Sequence, residues 1–588
     1  MGSVREDWRA VAEDRQQSIH THIPEKWRLP QALLKTAKPM ELPRLSGIMS
    51  DWELSVTQSR ATDILSALHS RKSKAVDVIR AFCKRAAIAH QATNCLAEIL
   101  FEEAFAHAAE LDEYMEIHGR PKGVLHGIPV SVKEHIHMKG TKATCGLIAW
   151  ADQMSPKDAL IVRTLREQGA VFHVKTTNPQ TLMAIETDSN LFGRTLNPHN
   201  PELSSGGSTG GEGALIAMGG SVMGIGTDIG GSIRVPSAFC GIHGIKPSVG
   251  RLPHGGLSGL HDGMQNIIGA VGPMARSIED LELFCSVALA NQPWDHEPSL
   301  IGIPWKTDVE MPTRLKIGVI WNDGVVQPHP PVSRALKEVV TALQNEGYTT
   351  VDWNVDLHKA LTDTVNEAYF LDGGKEYHDV LSAGREPPVP ILRWLLENKA
   401  NRRYSVEETW RVNAQLDRLR TKYAEQWNDS RVDAIICPVN ASVASVHEES
   451  RYWGYSSVFN ALDYPAVVIP VGIVKQSDTW ESFPPASSAK LSEMDDWYHQ
   501  LYDEKHGPSR YCDAPVGIQI VGRRLQEEKL LKIAERIENS VSRRPRMATS
   551  WTRADEIQRR DLMSRPMPEK STFLNAVSEL QEPAAVAA

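Results

Sequence analysis

Two glycine-rich stretches decide the fold of this sequence: Ser204-Ser-Gly-Gly-Ser-Thr-Gly-Gly-Glu-Gly213 and Gly224-Ile-Gly-Thr-Asp-Ile-Gly-Gly-Ser-Ile-Arg-Val-Pro236. Sixteen of the 41 glycines fall between Gly206 and Gly256. This span is too irregular for collagen, and its apolar runs are too rich for a flexible linker. We therefore expect a folded block in which the backbone passes close to other groups.

Three glycine motifs can be tested against this block. A P-loop is excluded because no G-K-S/T closes one, and the dinucleotide-binding fingerprint fails because Ile229 replaces its third glycine. Gly206-Gly-Ser-Thr-Gly210 matches G-x-S-x-G, the nucleophile elbow of α/β hydrolases, which would make Ser208 the nucleophile. An elbow follows a buried strand, whereas Asn200-Pro-Glu-Leu-Ser-Ser205 is typical of a loop, so the context disfavours this hypothesis.

The second stretch places Gly230-Gly231 directly before Ser232. Consecutive backbone N–H groups that no side chain shields can form an anion-binding pocket. Beside a hydroxyl nucleophile, such a pocket is an oxyanion hole. The alternative interpretation is a tight structural turn, and a lone Gly-Gly-Ser would favour it.

The whole block resembles the amidase signature family, and the resemblance extends to other segments. Within the family, the chain most resembles fungal acetamidase-like amidases over roughly residues 40–545. The further matching segments are Leu125-His-Gly-Ile-Pro-Val-Ser-Val-Lys133, Lys246-Pro-Ser-Val-Gly-Arg251, Pro515-Val-Gly-Ile-Gln-Ile-Val-Gly522, Phe82-Cys-Lys-Arg-Ala-Ala-Ile-Ala89 and Tyr452-Trp-Gly-Tyr-Ser-Ser-Val-Phe-Asn460. The long signature is specific for the family but not for the substrate.

The resemblance implies a Ser–Ser–Lys triad with Ser232 as nucleophile, Ser208 as bridging serine and Lys133 as base. It also implies a cis peptide bond before Ser208. The oxyanion hole falls on the backbone N–H groups of Ile229, Gly230, Gly231 and Ser232. Residues expected to line the substrate pocket are Cys145, Gly146, Leu182, Met183, Gly207 and Thr209.

This triad is chemically coherent. A serine hydroxyl becomes a good nucleophile only when a base removes its proton, and a lysine serves as that base only when it is neutral. Burial or nearby positive potential keeps a lysine neutral. The resemblance therefore implies attack on an amide carbonyl, release of the amine, and hydrolysis of the acyl-enzyme, without a metal or an organic cofactor.

The predicted function is a serine hydrolase that cleaves the C–N bond of small amides, including carbamates such as ethyl carbamate. A subunit of an amidotransferase complex is the alternative, because the family includes such subunits. The acidic composition and the acetamidase-like segments argue against it. A catalytically silent binding protein is disfavoured because every triad position is filled.

Several polar residues near the triad need an interpretation. Glu134 and His135 follow the lysine where Asp and Asn are common in the family, and His135-Ile-His137 also suggests a metal site. No carboxylate–histidine constellation supports a metal, so we expect a structural or pocket-lining role. Asp228 and Arg234 flank Ser232, and the resemblance implies that they orient its loop, which we favour over the alternative of a surface ion pair.

The bulk composition excludes several partners. The chain has 588 residues, 64 Lys+Arg against 73 Asp+Glu, and a net charge of −9, with no basic run suited to nucleic acid. It has no apolar stretch long enough to span a bilayer and no signal peptide core. The 7 scattered cysteines suit reduced thiols. We expect a cytoplasmic homodimer or higher homo-oligomer that binds a small molecule, without nucleic acid or membrane.

Helical and strand-like segments alternate along the chain, which predicts an α/β fold: one large domain whose mixed central sheet is covered by helices on both faces. Residues 128–133 and 171–175 read as strands, residues 61–118 as helical, and residues 476–513 as a polar loop insertion. The predicted organisation is an N-terminal arm (1–50), a catalytic domain (51–545) and a C-terminal tail (546–588).

Overall fold

The computed structural model describes residues 7–400, 402–485, 489–503 and 506–542. The predicted C-terminal tail, 546–588, lies outside the described residues. In the described part of the chain, no helix combines the length and the apolar character needed to cross a bilayer.

Thirteen strands form within these residues, and eleven of them make one sheet in the order β1-β3-β2-β6-β8-β7-β12-β13-β11-β9-β10, while β4 and β5 pair separately. The strands are β1 (Leu96–Ile99), β2 (Pro129–Lys133), β3 (Val171–Thr176), β4 (Asp188–Ser189), β5 (Gly193–Arg194), β6 (Met223–Asp228), β7 (His243–Lys246), β8 (Ala270–Ala275), β9 (Lys316–Val319), β10 (Thr349–Asp352), β11 (Ala434–Pro438), β12 (Ala466–Ile473) and β13 (Pro515–Val521).

Twenty α-helices form in the same described ranges. They are α1 (Trp8–Thr21), α2 (Gln31–Thr36), α3 (Leu42–Leu45), α4 (Asp51–Val56), α5 (Ala61–His69), α6 (Ala75–Thr93), α7 (Phe101–His118), α8 (Leu160–Glu167), α9 (Gly210–Ala217), α10 (Arg234–Cys240), α11 (Ile278–Ala288), α12 (Pro330–Asn345), α13 (His358–Tyr369), α14 (Lys375–Gly384), α15 (Pro390–Asn398), α16 (Val406–Ser430), α17 (Gly454–Ala461), α18 (Glu493–Leu501), α19 (Gly507–Arg510) and α20 (Glu527–Ser542).

Both faces of the sheet are buried, as the two main hydrophobic clusters show. On β12, Val467 and Ile469 belong to one cluster, whereas Ala466 and Val468 belong to the other. Successive side chains of a strand point to opposite faces, so the two clusters lie on opposite sides of the sheet. Helices α6, α11, α12 and α20 contribute to the first cluster, and α13, α16 and α17 to the second. The predicted α/β fold, a mixed sheet covered on both faces, is confirmed.

Strand direction determines where the polar segments meet. β2 runs parallel to both β3 and β6, while β6 is antiparallel to β8. Lys133 is the last residue of β2 and Asp228 the last of β6. The carboxyl ends of parallel neighbouring strands lie at the same sheet edge, which is where α/β proteins usually place ligands. The two conspicuous polar segments of the sequence therefore converge there.

Two sequence expectations were wrong in detail. The range 61–118 is not continuously helical, because β1 separates α6 from α7 and pairs antiparallel with β3. Asn94, which follows the last residue of α6 and lies two positions before β1, has a left-handed conformation that ends the helix and redirects the chain. The predicted loop 476–513 contains α18 and α19, and the side chain of Ser492 caps the first of them.

The segment predicted as an N-terminal arm packs on the rest of the molecule. Ala12 and Ile19 of α1, with Trp27, belong to the same hydrophobic cluster as α6 and β2. The Trp27 ring lies 5.7 Å from that of Phe101. The first turns of the chain thus share the main core.

Candidate active site

Lys133 ends β2 with a fully buried side chain. Its Nζ lies 2.6 Å from Oγ of Ser208 and 3.0 Å from Oγ1 of Thr227, which belongs to β6. The residues predicted as base and bridging serine are therefore in direct hydrogen-bond contact.

Burial lowers the pKa of Lys133 from its usual 10.5 to about 7. The carboxylate of Asp228 is the largest opposing influence, followed by Cys145, Glu212 and Glu134. A lysine with this pKa is substantially neutral near pH 7, and only the neutral amine can take a proton. Burial of Lys133 thus makes the neutral amine accessible near pH 7, as a lysine base requires.

The turn that carries Ser208 is tightly enclosed. The Gly207–Ser208 peptide bond is cis, as the resemblance implied. A Cβ at Gly207 would lie 2.5 Å from the carbonyl oxygen of Glu186, so only glycine fits there. The backbone N–H of Thr209 donates to the carbonyl of Ser232 over 3.1 Å. The structure therefore brings the two serine segments side by side.

The segment Ile229–Ser232, here called the oxyanion turn, joins β6 to α10. The N–H of Gly231 donates to Oδ1 of Asp228 over 2.9 Å and is already occupied. Within the described residues, the N–H groups of Ile229, Gly230 and Ser232 donate to no protein acceptor. Of the four donors predicted for the oxyanion hole, these three have no partner among the residues that the structure describes.

Hydrogen bonds anchor the carbonyl groups of the oxyanion turn. The hydroxyl of Tyr369 donates to Ile229 O over 2.6 Å, and the hydroxyl of Ser456 donates to Gly230 O over 2.6 Å. The Val235 N–H donates to Gly231 O over 2.7 Å. In a planar trans peptide, the C=O and the following N–H point in opposite directions. These bonds therefore fix the directions of the next N–H groups, and Tyr369 and Ser456 are called the clamp below.

A buried ion pair supports the turn from beneath. Nε and Nη2 of Arg234 each lie 3.0 Å from a different carboxylate oxygen of Asp228, and both side chains have 0% exposure. Burial by itself raises the pKa of Asp228, but the Arg234 guanidinium, together with Lys246 and the hydrogen bond from Asn460, holds the pKa well below 3.8. Asn460 donates to the same carboxylate over 3.0 Å. The predicted role of Asp228 and Arg234 in orienting the loop is confirmed, and the surface ion pair is excluded.

The segments predicted to line the substrate pocket lie together. Thr181 N–H donates to Cys145 O over 2.9 Å, which ties the loop of Cys145 and Gly146 to that of Leu182 and Met183. The Glu134 carboxylate accepts the N–H of Cys145 over 3.0 Å. Cys145, Leu182 and Met183 belong to one apolar cluster that also contains Ile229, Tyr369 and Trp453. Their contact with a substrate stays a prediction, as does that of Gly207 and Thr209.

Sequence reasoning missed three residues of this arrangement. Thr227 lies inside the recognised block, four residues before the Gly231–Ser232 pair, but nothing marked its hydroxyl as a partner of Lys133. Ser456 lies within the stretch 452–460, which was noted only for its resemblance. Tyr369 carries no local signal, because it is separated from the carbonyl it binds by 140 positions.

The chain can be compared with known proteins. The family model described as Amidase matches residues 77–531. The chain is 40% identical over 541 residues to an acetamidase of Aspergillus oryzae, with 90% of this chain and 98% of the relative covered. It is 38% identical over 551 residues to an acetamidase of Emericella nidulans, with 90% and 98% covered.

Solved structures agree with these sequence relatives. The chain is similar to a fatty acid amide hydrolase with a TM-score of 0.86 and 32% identity, covering 91% of this chain and 95% of that one. It is also similar to a bacterial aryl acylamidase with a TM-score of 0.65 and 19% identity, covering 87% and 99%. At that identity, the second likeness shows the fold alone.

Proposed function

The chain belongs to the amidase signature family and is an amide-cleaving hydrolase, and from that premise we propose that it hydrolyses small amides through an acyl-enzyme on Ser232. In this proposal Lys133 is the base and Ser208 the bridging serine. The observation that carries the proposal is the 2.6 Å contact between Lys133 Nζ and Ser208 Oγ, in a site where burial lowers the pKa of the lysine to about 7.

The acylation step moves one proton along these three residues. Neutral Lys133 takes the proton of Ser208, Ser208 takes that of Ser232, and Ser232 Oγ bonds to the amide carbon. The carbonyl electron pair moves onto oxygen, which the free N–H groups of Ile229, Gly230 and Ser232 stabilise. When the C–N bond breaks, the proton returns through Ser208 to the leaving nitrogen. The products are a neutral amine or ammonia and an ester on Ser232.

Deacylation uses the same groups in the opposite sense. Lys133, neutral again, draws a proton through Ser208 from a water molecule as that water attacks the ester carbon. Collapse of the second oxyanion expels Ser232 Oγ, which recovers its proton along the same route. The carboxylic acid leaves and the enzyme is restored.

Enclosure of the site supports a small substrate. Ser208 is 2% exposed and Ser232 5% exposed, so the proposed nucleophile lies below the molecular surface. The acetamidase relatives point the same way. We include carbamates such as ethyl carbamate, because they present a carbonyl carbon of the same kind to Ser232.

Purified protein, incubated with acetamide, a fatty amide, an aryl amide and ethyl carbamate, tests this proposal. We expect release of ammonia or amine from the small amides and labelling of Ser232 by a fluorophosphonate. Ser232→Ala should abolish both, whereas Ser237→Ala, which changes a buried serine whose hydroxyl binds the Ile233 carbonyl, should retain them. Labelling of Ser208 in place of Ser232 would overturn the assignment.

The same assay separates the alternative function. An amidotransferase-type subunit would need its partner chains, so turnover of simple amides by the isolated chain argues against it. A homodimer or higher homo-oligomer and a cytoplasmic location complete the proposal, and light scattering and cell fractionation test them.

A further inference from the structure

His135 is a buried histidine whose two ring nitrogens have different partners. Nδ1 lies 2.7 Å from the carbonyl oxygen of Ser258, and Nε2 lies 3.0 Å from Oγ1 of Thr227. Burial first, and the nearby Lys133 second, lower the pKa of His135 well below 6.5. The ring is therefore neutral and carries one N–H.

The partners determine which nitrogen holds that proton. A carbonyl oxygen only accepts, so the proton must be on Nδ1, where it is donated to Ser258. Nε2 is then an acceptor, and the hydroxyl of Thr227 must donate to it. Because that hydroxyl proton is committed to His135, Oγ1 of Thr227 faces Lys133 with its lone pairs and accepts an N–H from Nζ over 3.0 Å.

This assignment affects the lone pair of neutral Lys133. A hydroxyl without His135 as its acceptor would be free to rotate and donate to Nζ. That bond would occupy the lone pair which must take the proton of Ser208, 2.6 Å away on the same nitrogen. A threonine next to a lysine base is therefore useful only when its own proton is directed elsewhere.

We propose that His135 is a positioning residue which holds the Thr227 hydroxyl proton and thereby reserves the lone pair of Lys133 for Ser208. The inference rests on the proposed function, since it assumes that Lys133 is the base. The two ring nitrogens of His135 bind Ser258 and Thr227, and not Ser208 or Ser232. His135 acts through Thr227, and Ser258 acts through His135 by fixing its tautomer.

The other ionisable groups near Lys133 and His135 are unchanged in the variants that test this proposal. Asp228, Glu212, Glu134 and Cys145 act on the ammonium from β6, α9, the turn after β2 and the loop of Cys145. His254 and Lys175 act on His135. None of them is altered in the variants below, so a change in the pH profile reports on the Lys133–Thr227–His135 contacts.

The test compares five variants in the full-length chain: Thr227→Val, Thr227→Ser, His135→Leu, His135→Gln and the double variant Thr227→Val/His135→Leu. Turnover of the preferred amide and the rate of fluorophosphonate labelling are followed from pH 5 to 9, and thermal unfolding verifies the fold. His137→Gln is the matched control, because His137 contacts the Ser258 hydroxyl, 2.9 Å away, and not Thr227.

We expect Thr227→Val and His135→Leu each to lower kcat and the labelling rate about tenfold with KM little changed. Thr227→Val removes the acceptor that holds Nζ in place, whereas His135→Leu frees the Thr227 hydroxyl to donate to the lone pair of Nζ. The acid limb should move to lower pH, because Thr227→Val removes an acceptor from the ammonium and His135→Leu adds a donor to the neutral amine. Thr227→Ser and His135→Gln keep the donor and the acceptor and should recover most of the rate. The double variant should be no slower than the slower single one, since both changes act through one hydroxyl.

Two results would overturn the inference while leaving the proposed function intact: additive losses in the double variant, or a normal rate and pH profile in His135→Leu. If His135→Leu does not fold, a Thr227→Val variant with a normal rate and pH profile, or a His135→Gln variant that recovers none of the rate, serves the same purpose. A wild-type chain that neither turns over amides nor labels at Ser232 would instead refute the proposed function.

Discussion

The two halves of the site are built by opposite means. Around Lys133 the working groups are side chains, and β2, β6 and the Ser208 turn supply them from positions 133 to 227. In the oxyanion turn the working groups are backbone N–H groups, and their directions depend on Tyr369 and Ser456 from the second half of the chain. A site made of side chains can be recognised from a short sequence motif. A site made of backbone N–H groups depends also on the distant side chains that bind the neighbouring carbonyls.

The largest effect is expected on the lysine side. Lys133→Met removes the base and should lower kcat/KM by about 10²- to 10⁴-fold, measured by steady-state turnover of the preferred amide. Lys133→Arg is the matched control for charge, because arginine keeps a cation but does not release its proton. It should be as inactive as the methionine variant, and near-normal activity at pH 7 would contradict the base role.

The pH profile of the unmodified enzyme examines the same side. Burial lowers the pKa of Lys133 to about 7, and in the proposed mechanism the active form is the deprotonated amine. The rate should therefore rise with pH through about 7 and fall as the solution becomes more acidic. A rate that does not change between pH 6 and 8 would place the base elsewhere.

The next effect concerns the support beneath the oxyanion turn. Asp228→Asn leaves the Arg234 guanidinium without its buried counter-ion and should lower the free energy of unfolding by about 3–5 kcal/mol. It should also lower kcat/KM about 10²-fold, comparable with the loss of an oxyanion donor, because the turn loses an acceptor.

Asp478→Asn is its matched control. Asp478 pairs with Arg334 at 2.6 Å and is equally buried, but its partners lie outside the site. It should lose stability to a similar degree and keep its activity per folded molecule. Denaturant unfolding and turnover measured on the same samples separate the two effects. Equal activity losses in Asp228→Asn and Asp478→Asn would show that the loss of activity follows only from the loss of stability.

A smaller effect is expected at the clamp. Tyr369→Phe removes the hydroxyl that binds Ile229 O and should lower kcat about tenfold with little change in KM, because the Gly230 N–H loses its fixed direction. Tyr377→Phe is the control: this buried ring contacts His261 and Phe370 and not the oxyanion turn. Similar kinetics for the two variants would refute the clamp.

The smallest effect is expected at Ser456. Ser456→Ala removes the donor to Gly230 O and should lower kcat about threefold, since the N–H of Gly231 that this carbonyl orients already binds Asp228. The neighbouring Ser457 is also buried, and in the described part of the chain its hydroxyl has no partner. Ser457→Ala should be neutral in the same assay, and a loss there as large as at Ser456 would count against the assignment.

The sequence predicted the lysine side of the site better than the oxyanion turn, because side chains can be recognised in a sequence and the directions of backbone N–H groups cannot. The α/β fold could be anticipated because strand periodicity is a local pattern, and the pairing of Lys133 with Ser208 was implied by the family resemblance that the glycine block carries. The pair Asp228–Arg234 could be anticipated too, since six positions separate its members within one motif. The role of Tyr369 could not be anticipated, because its partner is a backbone carbonyl and every residue type has one.

The errors in secondary structure have a similar origin. β1 is four residues long and lies between two helices of 19 and 18 residues, so its alternation is too short to outweigh the surrounding helical period. The helix α18 was hidden by the polar composition of residues 476–513. Its buried residues, Asp495 and Tyr498, both have polar side chains. The Asp495 carboxylate accepts the N–H of Gln327, and the Tyr498 hydroxyl accepts the N–H of Tyr452.

The long-range clamp also sets the order in which activity can arise during synthesis. A nascent chain that has passed residue 300 already carries Lys133, Ser208 and Ser232, but Tyr369 and Ser456 have not yet been made. Until both have been translated and have packed on the turn, the carbonyls of Ile229 and Gly230 lack their hydrogen-bond donors, so the N–H groups that follow them have no fixed direction. We therefore expect full activity only in chains whose synthesis has passed Ser456.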